Sequence, residues 1–97
     1  MPLPVRRYGN TRESGSAFTN SDVNAVWAKG VIDRRYDPAV YRMDAYGSWM
    51  KRDSYGTQGQ YGWEIDHIRP VAAGGSDALS NLQPLHWENN RKKGDSF

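Results

Sequence analysis

The chain contains no cysteine, and no stretch of it is long and apolar enough to span a bilayer. The first absence excludes disulfides and metal sites built on thiolates. The first residues also lack the apolar run of a signal peptide, so we expect a cytoplasmic protein with no membrane partner. With 97 residues, of which 37% are hydrophobic and 25% are charged, the sequence predicts one small globular domain.

Positive charge is concentrated in the first part of the chain. Nine basic and six acidic residues lie in 1–61, whereas four basic and five acidic residues lie in 62–97. Residues 1–18 are rich in Pro, Gly, Ser and Arg and show no periodicity, which predicts a flexible basic arm followed by a single domain over 19–97. Such an arm suits a polyanionic partner, although a solubilising tail has the same composition.

The middle of the chain carries short helix and strand signals, which favours an α+β fold. Apolar residues at helical spacing predict a helix over 22–29, with Ser21 as its N-cap. Two short apolar runs predict a hairpin with strands at 40–44 and 48–51.

The last third of the chain has the pattern strand, turn, strand, loop, helix. Residues 63–66 alternate apolar and polar, as a half-buried strand does. Pro70 and Val71 can begin an antiparallel partner strand. Because proline is tolerated in the first turn of a helix, a helix is predicted from Pro84 to about residue 93, and Gly94 would end it.

Four polar features of this third can carry chemistry. Asp66 and His67 offer a metal ligand and a proton acceptor side by side, at a point where the chain begins to turn. Asn81 follows a glycine-rich loop, Asn90 lies on the predicted helix, and residues 91–93 are all basic. Each has an ordinary explanation by itself: a surface pair, a loop hydrogen bond, an exposed helix position and a favourable charge at a helix end.

Their order and spacing together are distinctive. The segments resemble the HNH endonuclease family, whose general pattern is Asp-His-Ile-x-Pro, a Gly-Gly loop, Asn-Leu-Gln-x-Leu, and an Asn or His on the following helix. Upstream, Tyr41 to Asp44 and Tyr55-Gly56 also resemble the small single-domain bacterial and phage members. The matching segments are Trp63 to Pro70, Gly74-Gly75, Asn81 to Leu85, Asn90 and Lys93-Gly94.

The resemblance implies a ββα-metal motif over about residues 62–95, supported by the N-terminal helix and the short hairpin. It also implies cleavage of phosphodiester bonds. Asp66 and Asn90 would be metal ligands, His67 would be the general base, and Asn81 would brace the loop and help to orient His67.

The donor atoms indicate which ion is expected. The oxygens of Asp66 and Asn90 suit Mg²⁺ or Mn²⁺, whereas zinc prefers His or Cys. Many members of the family bind a structural zinc through two cysteine pairs, and His86 and Asn89 stand where one such pair often lies. Because this chain has no cysteine, we expect one divalent ion and no structural zinc. His86 is either a third ligand or a helix cap that packs beside Trp87.

The sequence thus predicts a metal-dependent endonuclease that hydrolyses DNA by nicking or by double-strand cleavage. Double-stranded DNA would be bound through its phosphates, with low sequence specificity. A catalytically inactive nucleic-acid-binding module, a phage assembly module of the same fold and an enzyme that acts on RNA remain alternatives, and a monomer and a homodimer are equally compatible. The expected backbone contacts are Arg69, Arg91, Lys92 and Lys93.

Overall fold

The computed structural model describes residues 10–94, in which two helices and four strands form a small α+β fold. Each two-stranded sheet is antiparallel, and the strand order is β1-β2 in one and β3-β4 in the other. The α+β fold class is confirmed. Within the described part of the chain, no helix is long and apolar enough to cross a membrane. The elements in chain order are α1 (Asn20–Trp27), β1 (Tyr41–Met43), β2 (Trp49–Lys51), β3 (Trp63–His67), β4 (Leu82–His86) and α2 (Trp87–Lys93).

Helix α1 begins two residues earlier than its apolar spacing predicts. Thr19, and not the expected Ser21, is the N-cap, and its side chain accepts a hydrogen bond from the backbone of Asp22. The side chain of Asp22 in turn accepts from the backbone of Thr19, which completes a capping box. This reciprocal arrangement satisfies two otherwise unpaired backbone donors, and a cap at Ser21 would have lacked it.

The β1-β2 hairpin is tied to the last helix through one buried carboxylate. Asp44, in the hairpin turn, is 1% exposed. Its Oδ1 accepts from the backbone nitrogens of Tyr46 and Ser48, which shapes the turn. Its Oδ2 accepts from the backbone of His86 and from the side-chain amide of Asn89. Four donors on one carboxylate therefore fix the hairpin against the junction of β4 and α2.

The partner of β3 is not the segment that the sequence indicates. Pro70-Val71 was expected to begin it, but Val71–Ala73 form a 3₁₀ turn, and β4 pairs with β3 instead. A close approach explains the turn, since a Cβ on Gly75 would lie 1.7 Å from the carbonyl oxygen of Arg69. The chain therefore folds back as a tight loop before β4 begins.

Helix α2 begins three residues later than predicted. Pro84 lies inside β4, opposite Ile65, and not in the first turn of a helix. A strand in a two-stranded sheet has a free edge, where a proline without an N–H is tolerated. β4 ends at His86 and α2 begins at Trp87, so no loop separates them.

The core lies between α1 and the β3-β4 sheet. The rings of Trp27 and Trp63 meet at 5.1 Å between centroids. Burial of aromatic area of this kind is a major stabilising contribution in so short a chain. The buried cluster consists of Phe18, Val23, Val26, Trp27, Met50, Trp63, Ile65 and Leu82.

Only the second half of the predicted arm, residues 10–18, lies within the described part of the chain. Residues 1–9 lie outside that part, so an arm there stays a prediction. Within 10–18, the backbone of Asn10 donates to the carbonyl of Ile65, and its side chain accepts from the backbone of Ile65. Phe18 is buried in the core. This part of the segment therefore packs along β3.

Candidate active site

Strand β3 presents its acidic residues and its histidine to different surroundings. Side chains alternate between the two faces of a strand, so Glu64 and Asp66 share one face and His67 takes the other. The contacts agree, because both acids meet residues of α2 whereas the ring of His67 lies 6.0 Å from that of Phe18. The sequence led us to expect that a turn at Ile68-Arg69-Pro70 would let Asp66 and His67 reach one cleft, but the strand includes both residues and directs them to opposite faces.

His67 is held by a carboxylate that the sequence analysis did not single out. Its Nε2 lies 2.8 Å from Oδ1 of Asp77, and the two side chains are 5% and 16% exposed. Asp77 also accepts from the backbone nitrogen of Glu13, and the guanidinium of Arg12 lies 3.8 Å from its Oδ2. Burial works to raise the pKa of Asp77, but the hydrogen bonds from His67 and Glu13 outweigh it and lower that pKa.

The partner of Nε2 decides the tautomer of the imidazole. An ionised carboxylate only accepts hydrogen bonds, so Nε2 carries the hydrogen and donates it to Asp77. The lone pair is then on Nδ1. A histidine that accepts a proton from water needs such a lone pair. A sequence signal for Asp77 exists, since it follows Gly74-Gly75 in the loop that leads to Asn81, but proximity to His67 depends on how that loop folds.

Asp66 is a buried carboxylate whose two oxygens contact different elements. It is 4% exposed. Gln83, its cross-strand neighbour, donates to Oδ2 at 2.9 Å, and Nζ of Lys93 lies 3.3 Å from Oδ1. The same ammonium donates to the carbonyl oxygen of His67 at 3.0 Å. Burial raises the pKa of Asp66, and the hydrogen bond from Gln83 and the charge of Lys93 offset part of that rise.

A second acidic residue, Glu64, lies beside Asp66 and was also missed. Arg91 donates to both of its oxygens, at 2.6 and 3.1 Å, and the side-chain amide of Asn90 donates to Oε1 at 2.9 Å. Alternation along β3 carries the signal for Glu64, because residues two apart on a strand share a face. The face of α2 that meets β3 thus carries a pair of contacts, Asn90 with Glu64 and Lys93 with Asp66.

Asn81 fixes the loop that follows the histidine. Its Oδ1 accepts from the backbone nitrogen of Arg69 at 2.8 Å. Its Nδ2 donates to the carbonyl oxygens of Arg69 and Ser76. Its own carbonyl accepts from Ile68. These bonds hold both ends of the loop next to His67, which is the kind of bracing that the sequence led us to expect.

The four residues predicted to contact phosphates differ in solvent exposure and in their partners. Arg69 and Lys92 are exposed. Arg91, with its side chain 26% exposed, is bound to Glu64, and Lys93, at 7%, lies against Asp66. Two of the four cations therefore face solvent, and the other two neutralise the acidic residues of β3.

His86 is a helix cap. Its Nδ1 accepts from the backbone nitrogen of Glu88, and its Nε2 donates to the carbonyl oxygen of Gln60. Its ring stacks on Trp87 at 6.0 Å. Of the two interpretations of His86, the structure favours the cap, since both ring nitrogens already have partners.

The oxygen atoms that β3 and α2 could offer to a metal are of the type that a hard divalent ion prefers. Asp66 supplies carboxylate oxygens and Asn90 an amide oxygen, from two facing elements. Over residues 10–94 there is no group of three or more His, Cys, Asp or Glu that could hold a metal ion. A pair of protein oxygens suits an ion that keeps most of its ligands as water and phosphate, as Mg²⁺ does.

The comparison with known proteins found one family match. Residues 52–96 match the family model described as HNH endonuclease. No curated protein and no solved structure matches the chain. The matched residues carry β3, β4 and α2, so this part of the chain is similar to the HNH endonuclease family.

Proposed function

We propose that this chain is a metal-dependent DNA endonuclease of the HNH type that hydrolyses phosphodiester bonds with His67 as its general base. The observation that carries the proposal is the hydrogen bond, at 2.8 Å, between Asp77 and the buried His67, which lies on the strand that also holds Asp66. A histidine whose second nitrogen is bound to a carboxylate is fixed in orientation and tautomer. Both are requirements of proton transfer to a side chain.

In the proposed mechanism, Nδ1 of His67 takes a proton from the attacking water. Asp77 keeps the hydrogen on Nε2 and stabilises the imidazolium that forms, without itself taking the proton. Asn81 keeps the loop after His67 in place, so that the ring does not shift during the reaction. Catalysis by a positioned base contributes about 10²- to 10⁴-fold.

Asp66 and Asn90 are proposed as the ligands of one divalent ion, Mg²⁺ or Mn²⁺, and no structural zinc is proposed. When bound, such an ion stabilises the charge that develops on the phosphate and the leaving oxygen. Lys93 stands against Asp66 and supplies part of the positive charge there. Gln83 holds the other oxygen of Asp66 and so fixes the orientation of the carboxylate.

The DNA contacts are proposed for the exposed cations of the same region. Arg69 and Lys92 can reach phosphates directly, whereas Arg91 and Lys93 act first on the acidic residues. Phosphate contacts position a duplex but read little sequence, so low specificity for double-stranded DNA is expected. A monomer has one such centre and nicks one strand at a time.

A plasmid assay tests the proposal. Supercoiled DNA is incubated with Mg²⁺, Mn²⁺, Zn²⁺ or EDTA, using the native protein, His67→Ala and Asp66→Asn. Asp53→Asn serves as the control because Asp53 is exposed. We expect open-circular DNA with Mg²⁺ or Mn²⁺, none with EDTA, and losses only in the first two variants.

Three outcomes would contradict parts of the proposal. If no metal supports conversion of the plasmid, the non-catalytic nucleic-acid-binding or phage assembly module is the better assignment. Undiminished activity of His67→Ala would remove His67 as the base. A matched RNA substrate that is cut faster than DNA would change the substrate class.

A further inference from the structure

Four aromatic side chains line an open cleft that plays no part in the proposed chemistry. Tyr36, Tyr41, Trp49 and Tyr61 surround a volume of about 190 Å³. Drug-sized ligands occupy pockets of roughly 300–1,000 Å³, so this cleft suits a single flat ring. Tyr36, on its outer side, is 47% exposed. We call this group the aromatic cleft.

The rings of the aromatic cleft stand edge to face. Tyr36 meets Trp49 at 5.0 Å and 72°, and Tyr41 meets Tyr61 at 5.7 Å and 80°. In such a contact one ring presents its edge and the other its face, so the contact does not cover all faces of the rings. The cleft therefore presents aromatic surface to solvent.

Positive charge lies around the aromatic cleft. Lys51 stands directly across from Tyr41 in the β1-β2 register, and it shares a face with Trp49 because the two are two residues apart. The guanidinium of Arg35 lies 5.7 Å from the centre of the Tyr36 ring. Asp33 is paired with Arg35 and offsets the charge of that guanidinium. Lys51 therefore supplies the positive charge on this face of the hairpin, where a ring attached to a phosphate would meet attraction.

An adjoining groove connects the aromatic cleft with helix α2. Trp49 and Tyr61 line both, and the groove continues to Glu88, Asn89 and Lys92. Lys92 is the proposed phosphate contact on α2, and its neighbour Lys93 touches Asp66 and His67. A nucleic-acid strand bound along α2 can therefore reach the aromatic cleft while it stays in contact with the protein surface.

We propose that the aromatic cleft stacks one unpaired nucleobase of single-stranded or frayed DNA, with Lys51 and Lys92 contacting its backbone. Proteins that bind single strands without sequence preference combine aromatic platforms with a basic groove in this way. The proposal rests on the proposed function only in taking DNA as the ligand, because stacking requires no cleavage.

Binding in EDTA tests the aromatic cleft separately from catalysis. The fluorescence anisotropy of a labelled twelve-nucleotide oligothymidine is compared with that of an abasic oligomer of equal length and charge. The variants are Tyr36→Ala and Tyr36→Phe, and the control is Tyr46→Ala, which removes a tyrosine that is 66% exposed and lies outside the cleft.

The native protein is expected to prefer oligothymidine to the abasic oligomer. Loss of a stacking ring costs about 1–3 kcal/mol per base, so Tyr36→Ala should weaken oligothymidine binding by about 5- to 150-fold. Binding of the abasic oligomer should not change. Tyr36→Phe keeps the ring and should bind as the native protein does, and so should Tyr46→Ala.

Each of three results would overturn the proposal. They are equal affinity of the native protein for both oligomers, an equal loss in Tyr46→Ala, and a Tyr36→Ala protein that melts earlier but binds oligothymidine normally. The last would make the cluster a packing feature of the hairpin. A protein that cuts plasmid yet shows any of these results would retain the proposed function and lose only the cleft.

Discussion

At the scale of single residues, Asp77 is the side chain on which the proposed base depends. It touches His67 and the backbone of the N-terminal segment, but no residue proposed to bind metal. It is therefore a positioning residue, and its removal should slow the chemical step without weakening the binding of DNA.

Asp77→Asn and Asp77→Ala should lower kcat by about 10- to 100-fold, the usual effect of losing a residue that orients a catalytic or ligating group. KM should change little. Steady-state cleavage of a labelled duplex measures both, and Asp53→Asn is the matched control. A rise in KM at constant kcat would show that Asp77 acts on binding and not on His67.

The lowered pKa of Asp77 also predicts a pH dependence of stability. A carboxyl whose pKa is lower in the folded than in the unfolded protein stabilises the fold above its ordinary pKa. That contribution is lost as the pH falls through the folded value. The native protein should thus be more stable than Asp77→Asn at pH 6, and the difference should shrink below about pH 4.

Urea unfolding at pH 6, 5, 4 and 3 gives this difference in the free energy of unfolding. Measuring both proteins at each pH cancels the titration of all other groups that behave alike. A difference that stays constant or grows towards pH 3 would mean that Asp77 is not the stabilised anion described here.

The residues of the proposed site differ in how far the sequence could identify them. Asp66, His67, Asn81 and Asn90 could be named because their types and spacing follow the family pattern. Asp77 could not, since its contact with His67 spans a loop whose course depends on the close approach at Gly75.

At the scale of elements, Asp44 links the β1-β2 hairpin to the junction of β4 and α2 through hydrogen bonds. Asp44→Ala removes the acceptor of three backbone donors and one amide, so it should cost about 3 kcal/mol or more in the free energy of unfolding. Asp44→Asn should also destabilise the fold, because its amide nitrogen cannot accept the hydrogen bonds that one carboxylate oxygen of Asp44 accepts.

Chemical denaturation of both Asp44 variants checks this expectation, with Asp53→Asn again as the exposed control. Near-native stability of Asp44→Ala would mean that the hairpin is held by its apolar contacts alone. A large loss in Asp44→Ala with full stability in Asp44→Asn would mean that Oδ2 is not required as an acceptor.

The elements themselves were predictable where local signals were strong. The helix near 22–29, the two hairpin strands and the strand at 63–66 were found within about two residues. The predictions for the partner of β3 and for the start of α2 were wrong for the same reason. Pro70 is compatible with a strand or a turn, and Pro84 with a strand or the first turn of a helix. The pairing of β3 with β4, and not local preference, decided between these structures.

At the scale of the whole molecule, the distribution of charge separates the residues proposed to bind DNA from those that stabilise the fold. The chain carries a formal net charge of +2, so DNA binding should depend on a few local contacts. Arg69→Ala and Lys92→Ala should each reduce the salt dependence, the slope of log K against log salt, by about one.

Arg91→Met should instead lower stability, since it removes the guanidinium that donates to both oxygens of the buried Glu64 and balances its charge. Anisotropy titrations at several salt concentrations and parallel thermal melts distinguish the two effects. Unchanged stability with a reduced salt slope in Arg91→Met would place Arg91 among the phosphate contacts.

The junction of β4 and α2 has a consequence for how this chain tolerates change in length. His86 ends the strand and caps the helix, so the two elements share one rigid corner. One residue inserted there would turn α2 by about 100° and advance it by about 1.5 Å. Asn90 and Lys93 would then swing away from Glu64 and Asp66 together. Insertions and deletions should accumulate in the exposed turns of this protein, while the corner keeps its length.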